Sequence, residues 1–230
     1  MRQKVFNFVK LVRQKGLRPA LNYARERILL PRYEASLGIN TTVISRKEEL
    51  GISDCDYADY VPMNYSALYR LLRRIPIQAG EDVFMDYGSG RGRIVLVAAT
   101  FPFKRAIGIE LSASLVAAAN ENLKAAMPKL ACKDVEFLAE DATRYTVPPD
   151  ASVIFFVNPF HDNILRLVLG RIRESIEAAP RRVIIAYVNA NDPTTRLLHN
   201  TSWLKVRDDY HDWCMLGTWR RILILESVEG

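Results

Sequence analysis

The chain contains little cysteine: only Cys55, Cys132 and Cys214 occur in 230 residues. The three stand far apart and are odd in number, which argues against a disulfide framework. Their spacing also matches no cysteine-based metal site, so no bound metal is expected. Reduced thiols of this kind predict a cytoplasmic protein.

Long hydrophobic runs are also missing. No apolar stretch approaches the roughly 20 residues that a membrane-spanning helix needs. Polar residues at Asn7, Lys10 and Arg13 interrupt the N-terminal region, and no small-residue cleavage site follows an apolar run, so no secretory signal is expected. Internal repeats and low-complexity tracts are absent from the sequence. A chain of this length can bury one sizeable core, which predicts one domain with an N-terminal appendage.

Acidic residues are scarce at the N-terminus. Residues 1–32 contain nine Lys or Arg and a single acid, Glu26, whereas the whole chain has a net charge of only +6. We therefore expect a basic helical extension or cap over residues 1–60, ahead of a nearly neutral domain over residues 61–230. The extension could pack on the domain, or it could contact an anionic surface, which would make the protein membrane-peripheral. Because the remaining sequence carries no matching basic stripe, nucleic acid is not expected as a partner.

A glycine-rich turn is the most informative pattern. The apolar run Val83–Met85 predicts a strand, Asp86 follows it, and glycines then occupy alternate positions, Gly88, Gly90 and Gly92. The apolar run 94–99 behind them is typical of a buried helix. Such a turn lets a ligand approach the backbone and directs the helix N–H groups at it. A dinucleotide site would need its third glycine one residue later, where this chain has Arg93.

Two further predicted strands also end in acids. The run 106–109 leads to Glu110, and a third strand is predicted over residues 135–142, with the acids Glu140 and Asp141 near its end. The interval between Asp86 and Glu110 accommodates one helix and one strand. A carboxylate at the end of a second parallel strand can accept both hydroxyls of a ribose. Three acid-tipped strands in βαβαβ order therefore predict a nucleoside-type ligand across the sheet.

The predicted fourth strand, residues 151–157, is continuously apolar, as a strand buried on both faces should be. It ends in Asn158, Pro159 and Phe160, which either form a simple turn or present acceptor groups to a substrate. His161 follows in the same loop, where an imidazole could remove a proton near neutral pH. Asp162 is expected to cap a helix over about residues 164–178.

The C-terminal part completes the predicted sheet. A fifth strand is expected over residues 182–188, followed by Asn189 and Asn191. Two last strands, over residues 203–210 and 219–225, are joined through Gly217 without an intervening helix. They predict an antiparallel hairpin on the sheet edge. The expected fold class is α/β, a seven-stranded, mostly parallel twisted sheet with helices on both faces.

These patterns resemble a known family over roughly residues 60–228. The Asp-x-Gly-x-Gly-x-Gly run from Asp86 to Gly92 resembles motif I of the class I (Rossmann-like) S-adenosylmethionine (SAM) methyltransferases. Asn158-Pro159-Phe160 looks like a shortened motif of the amino-methyltransferases, with one proline missing. Tyr60-Val61-Pro62, just upstream, is similar to the non-SET protein-lysine methyltransferases.

The resemblance implies SAM as cofactor, S-adenosylhomocysteine as product, and no metal. It assigns Asp86 to the amino-acid end of the ligand, Glu110 to the ribose and Asp141 to the adenine. The implied cofactor-binding set is Asp86, Gly88, Ser89, Gly90, Gly92, Glu110, Leu111, Asp141, Ala142 and Asn158. The implied catalytic set is Asn158, Pro159, His161 and Tyr60, with Tyr65 and Tyr187 as further candidates near the acceptor.

The acceptor implied by the resemblance is an amine nitrogen, such as a protein lysine. O- or N-methylation of a small metabolite or sugar is the alternative. Two other classes are disfavoured by the sequence. A nicotinamide dehydrogenase conflicts with the glycine spacing, and a non-catalytic SAM-binding module conflicts with the residues that follow the fourth strand.

Overall fold

A computed structural model describes residues 12–13, 16–43, 62–157, 161–215 and 218–228. The strands are β1 Val83–Tyr87, β2 Arg105–Glu110, β3 Val135–Ala139, β4 Ala151–Val157, β5 Ile184–Val188, β6 Leu204–Met215 and β7 Thr218–Ser227. The helices are α1 Leu17–Leu37, α2 Tyr65–Leu72, α3 Arg93–Ala98, α4 Ala113–Ala126, α5 Asp162–Ala178 and α6 Asp192–His199, with a 3-10 turn at Met127–Lys129.

The seven strands form one sheet in the order β3-β2-β1-β4-β5-β7-β6. Strands β1 to β5 are parallel, whereas β7 runs antiparallel to both β5 and β6. The predicted fold class is therefore confirmed. The chain moves outward from β1 to β3 on one side and from β4 onward on the other. The carboxyl ends of β1 and β4 consequently flank the switch point at which α/β sheets bind ligands.

Apolar side chains cover both faces of the sheet, as its continuously apolar strands predict. On one face Phe84 and Phe155 belong to a core that includes Leu68 of α2 and Leu96 of α3. The opposite face carries a second cluster, in which Met85 and Phe156 lie with Leu165, Leu169 and Ile172 of α5. Alternate residues of each strand thus serve different helical layers. Because both faces of the sheet are buried in this way, a shift in the pairing of the strands would expose apolar side chains. The packing therefore fixes the positions of the strand ends that form the site.

Some predicted boundaries change in the structure. Strand β3 stops at Ala139 because Asp141 forms a turn, its Oδ1 accepting hydrogen bonds from the backbone N–H and the hydroxyl of Thr143. The prediction that Asp162 caps α5 is wrong. His161 occupies the cap position, and the Asp162 carboxylate instead accepts a hydrogen bond from the Thr194 hydroxyl at 2.6 Å.

Helix α1 begins directly after Gly16, whose φ of 89° lies in the region that favours glycine. Pro19 lies in the first turn of α1, where its missing N–H has no intrahelical partner to lose. The helix ends at Gly38, and Leu37 and Ile39 then enter the first core. Within the described ranges, no helix has the length and apolar character needed to cross a membrane.

Candidate cofactor site

The glycine turn joins β1 to α3 through three left-handed residues. Gly88, Gly90 and Gly92 have φ values of 76°, 55° and 86°, a region that side chains rarely adopt. Space is also restricted at Gly92, because a Cβ there would lie 2.6 Å from Cζ of Phe137. Gly108 of β2 meets the same ring, with a Cβ placed 2.5 Å from Phe137 Cδ1. Backbone conformation therefore favours glycine at all three alternate positions, and packing restricts Gly92 in addition.

Asp86 is a fully buried carboxyl group next to this turn. Neither of its oxygens has a hydrogen-bond partner among the described residues, and the Ser89 hydroxyl within the turn also has none among them. Burial raises the pKa of Asp86 well above its ordinary value, and the nearby Glu110 carboxylate raises it further. Burying such a group without partners is costly, so this position suits a ligand that brings a cationic or hydrogen-bond-donating group.

Glu110 ends β2 and is also buried. Its Oε2 accepts the Gly90 N–H and its Oε1 accepts the Ser112 N–H, each at 2.9 Å. Burial raises the pKa of Glu110, whereas the backbone N–H groups of Ser112, Gly90 and Leu111 oppose that rise. The side chain therefore ties the end of β2 to the glycine turn. Leu111 follows with 38% of its surface exposed, offering an apolar surface beside the carboxylate.

Asp141 and Ala142 follow β3, the next strand outward. The Asp141 carboxylate is held by the turn to Thr143 and lies 3.8 Å from Arg144 Nε, while Ala142 is buried. Since β3, β2 and β1 are adjacent and parallel, Asp141, Glu110 and Asp86 lie along one edge of the sheet. The structure thus brings together the cofactor-binding residues predicted on these three strands.

The predicted acceptor residues are only partly visible. Asn158, Pro159 and Tyr60 lie outside the described residues. His161 is exposed at the start of α5. Tyr187 is buried in the second core, where its ring stacks on Phe156 with ring centroids 5.9 Å apart. Burial raises the pKa of the Tyr187 phenol.

Tyr65 was a candidate near the acceptor, but the structure places it elsewhere. Its fully buried ring stacks on Tyr33 with centroids 5.0 Å apart, and the guanidinium of Arg93 lies 4.4 Å from the Tyr65 centroid. Its hydroxyl lies 3.3 Å from the hydroxyl of Thr41 and 3.2 Å from Oε1 of Glu34. Tyr65 therefore belongs to a buried polar network behind the glycine turn. Sequence analysis missed this network, because its members are far apart in the chain.

Within the part of the chain that the structure describes, no group of three or more His, Cys, Asp or Glu side chains is arranged to hold a metal ion.

This sheet order, the left-handed glycine turn and the acids at three adjacent strand ends define the class I, Rossmann-like SAM-dependent methyltransferases, and the protein is an enzyme of that class. The family described as "Histone methylation protein DOT1" matches residues 57–185, more than half of the chain. The chain belongs to that family.

Solved structures support the fold. An RNA methyltransferase from Salinibacter ruber, crystallised with S-adenosylhomocysteine, is 22% identical, with a TM-score of 0.54 over 74% of this chain and 95% of that one. TrmN from Thermus thermophilus is 20% identical, with a TM-score of 0.55 over 71% of this chain and 48% of its own. The B. subtilis M1A22 tRNA methyltransferase TrmK is 15% identical, with a TM-score of 0.54 over 70% and 65%. Among curated proteins, no sequence matches this chain.

The neighbours correct one expectation. The sequence led us not to expect nucleic acid as a partner, because the basic residues are concentrated in the leader. That expectation is wrong, since proteins with this fold include enzymes described as RNA and tRNA methyltransferases.

Proposed function

We propose that the carboxyl edge of β1, β2 and β3 holds SAM through the residues that the sequence indicated. Asp86 would accept the ligand's amino group, Glu110 its ribose hydroxyls, and Asp141 with Ala142 the adenine edge. The observation that carries this proposal is the buried Asp86 carboxyl, which has no hydrogen-bond partner among the described residues. When bound, SAM supplies an electrophilic methyl group on a sulfonium. The chain's own contribution is to align and desolvate the reactants.

We further propose that the acceptor is an amine nitrogen, most simply a protein lysine side chain. The match to the histone methylation family supports this proposal and includes Asn158 and Pro159 in its range. Oxygen acceptors at these positions would hold the amine by its N–H groups and point its lone pair at the methyl group. His161 and Tyr60 are proposed to line the same path. A lysine must lose its proton first, and a dry channel lowers the pKa of an ammonium group.

A nitrogen of an RNA base is the second candidate. The observation that favours it is the description of two structural neighbours as RNA and tRNA methyltransferases. Both candidates need a nitrogen lone pair aligned with the methyl group, so the residues after β4 would have the same role in either case. Methylation of a small metabolite remains the third possibility.

Incubation of the purified enzyme with radiolabelled SAM and a cell extract tests the acceptor class. We expect label in macromolecules that protease releases and ribonuclease leaves intact. Label that ribonuclease alone releases would instead establish the RNA candidate, and label confined to the small-molecule fraction would contradict both. The Glu110→Ala enzyme is the control, because its weaker SAM binding should lower labelling of every acceptor class at a subsaturating SAM concentration.

A further inference from the structure

Two adjacent residues of the N-terminal segment, Asn40 and Thr41, form hydrogen bonds with the arginines of the glycine turn. The Asn40 carbonyl accepts a hydrogen bond from Nε of Arg91 at 3.2 Å, and the Thr41 hydroxyl accepts one from Nε of Arg93 at 2.7 Å. Arg91 and Arg93 flank Gly92, the third left-handed glycine. The turn is therefore held on both sides of its most crowded residue by a segment that precedes the sheet.

The guanidinium of Arg93 is buried, and its three nitrogens form hydrogen bonds with three different residues. This first residue of α3 is 3% exposed, and its Nη1 donates to the Met63 carbonyl at 2.7 Å. Its Nη2 lies 3.3 Å from Oε1 of Glu34, which also accepts the Thr41 hydroxyl at 2.6 Å and the Thr41 N–H at 2.9 Å. A buried guanidinium is tolerated only when such partners compensate its lost hydration. The rigid, planar guanidinium of Arg93 consequently fixes the chain at Glu34, Thr41 and Met63 relative to the start of α3.

Asn122 of α4 completes the arrangement on the other side. Its Nδ2 donates to the Arg91 carbonyl at 2.9 Å and to the Asn40 carbonyl at 3.2 Å, while its Oδ1 accepts the Asn40 N–H at 2.8 Å. The Asn122 amide is buried, so these bonds are shielded from competing water. The backbone of the turn is thus also held at the Arg91 carbonyl.

The glycine turn needs such support because it holds an unfavourable shape. Three left-handed residues in five positions cost conformational entropy when they are ordered, since glycine has more freedom to lose than any other residue. The Gly92 N–H donates to the Ser89 carbonyl at 2.9 Å, so movement at Gly92 is transmitted to the ligand side of the turn. A turn that is already ordered loses less entropy when it binds a ligand.

On the basis of the proposed SAM site, we infer that Asn40, Thr41 and Asn122 are positioning residues for the cofactor, which preorganise the glycine turn through Arg91 and Arg93. The N-terminal segment is then part of the SAM site itself, in addition to any contact that it makes with the acceptor. None of the three residues needs to touch the cofactor for this effect.

Calorimetric titration with S-adenosylhomocysteine tests the inference on Thr41→Val, which removes the hydroxyl but keeps the shape. We expect its dissociation constant to rise about tenfold, equivalent to about 1.4 kcal/mol. Thr41→Ser, which restores the hydroxyl, should bind like the wild type. The matched control is Ser152→Ala. The buried Ser152 hydroxyl also makes two hydrogen bonds, one to the Asp82 carboxylate and one from the Val83 N–H, but it lies at the amino-terminal ends of the strands, away from the glycine turn.

Melting temperatures of the ligand-free variants separate positioning from general stability. Ser152→Ala should melt lower than the wild type yet keep its dissociation constant. If Thr41→Val binds like the wild type, or if Ser152→Ala weakens binding equally, the inference is overturned. Should Thr41→Val not fold, Asn122→Ala provides the same test from the α4 side. Unchanged affinity in that variant would overturn the inference just as directly.

Discussion

The carboxyl groups of Asp86 and Glu110 are electrostatically coupled in the interior. Asp86 lies on β1 opposite Gly108, two residues before Glu110 on β2. Burial raises the pKa of Asp86 first, and the Glu110 carboxylate raises it further. Glu110 has backbone N–H partners that stabilise its charge, whereas Asp86 has no partner among the described residues. The two carboxyl groups therefore differ in how well the folded protein stabilises their charge, and substitutions at the two positions should have different effects.

Asp86→Asn is expected to stabilise the ligand-free protein at pH 8 by about 1–2 kcal/mol. The folded pKa of Asp86 exceeds its ordinary value of 3.8, so the folded state binds more protons than the unfolded state above pH 3.8. The free energy of unfolding therefore falls as the pH rises through that window, and the variant escapes this loss. Urea unfolding at pH 5 and pH 8 measures the difference, which should shrink at the lower pH.

The same substitution should weaken binding of S-adenosylhomocysteine at least tenfold at pH 8, since a charged acceptor is lost. Glu121→Gln is the control, because Glu121 is an exposed carboxylate whose one ion-pair partner among the described residues is Lys124, also on the surface of α4. It should change stability by less than about 0.5 kcal/mol. An Asp86→Asn protein that is less stable than the wild type at pH 8 would contradict the assignment of a raised pKa.

Glu110→Ala should raise the dissociation constant of S-adenosylhomocysteine by about 10- to 100-fold, because hydrogen bonds to a charged group contribute about 1.5–3 kcal/mol. The change also removes the acceptor of the Gly90 and Ser112 N–H groups. Glu110→Gln keeps one oxygen acceptor and should have an intermediate affinity in calorimetric titration. Equal affinity in both variants and the wild type would remove Glu110 from the site.

Gly92→Ala should destabilise the protein more than Gly80→Ala, although both glycines are left-handed. Gly80 has a φ of 74° and open space around it, so its variant suffers only the conformational cost of about 1–2 kcal/mol. An alanine at Gly92 must also displace the Phe137 ring. Urea unfolding should show the difference, and Phe137→Leu should recover part of the loss in the Gly92→Ala background. Equal costs would mean that backbone strain alone explains the glycine.

Thermal unfolding with S-adenosylhomocysteine should show a rise in melting temperature of about 5–10 °C. A ligand at a hundred times its dissociation constant adds about 2.7 kcal/mol of stability, and each kcal/mol corresponds to about 2–4 °C in a protein of this size. NADH is the comparison ligand and should produce no shift. A shift with NADH alone would return the glycine turn to the dinucleotide-binding class.

Asn158→Ala is expected to keep wild-type affinity for S-adenosylhomocysteine and to lower the rate of methyl transfer about 100-fold. That rate loss follows from misplacing a reacting nitrogen by about 1 Å. Calorimetry and labelled-SAM transfer, measured on the same preparation, separate the two effects. A large loss of affinity would show that Asn158 binds the cofactor more than it orients the acceptor.

The local patterns of the chain were sufficient to predict the sheet and the candidate cofactor edge. Continuous apolar runs indicate strands buried on both faces, and alternate glycines indicate a turn whose backbone conformation favours glycine. Asp86, Glu110 and Asp141 each follow such a run directly. Parallel strands bring their carboxyl ends to one edge, so adjacent sequence positions were enough to place all three acids.

Where the sequence failed, the deciding contacts link distant positions. Tyr65 and Tyr187 were assigned to the acceptor side because they flank suitable motifs, yet packing buried both rings. Strand β3 ended early because Thr143 bonds to Asp141, and Asp162 received its partner from α6.

The sequence by itself therefore determined the sheet, the glycine turn and the acids along its edge, because each depends on residues that are neighbours in the chain. Only the tertiary structure decided what supports the turn. Glu34 and Thr41 meet Arg93 across more than fifty residues. A buried guanidinium selects such partners by geometry and by the need to compensate lost hydration, and neither leaves a local pattern in the sequence.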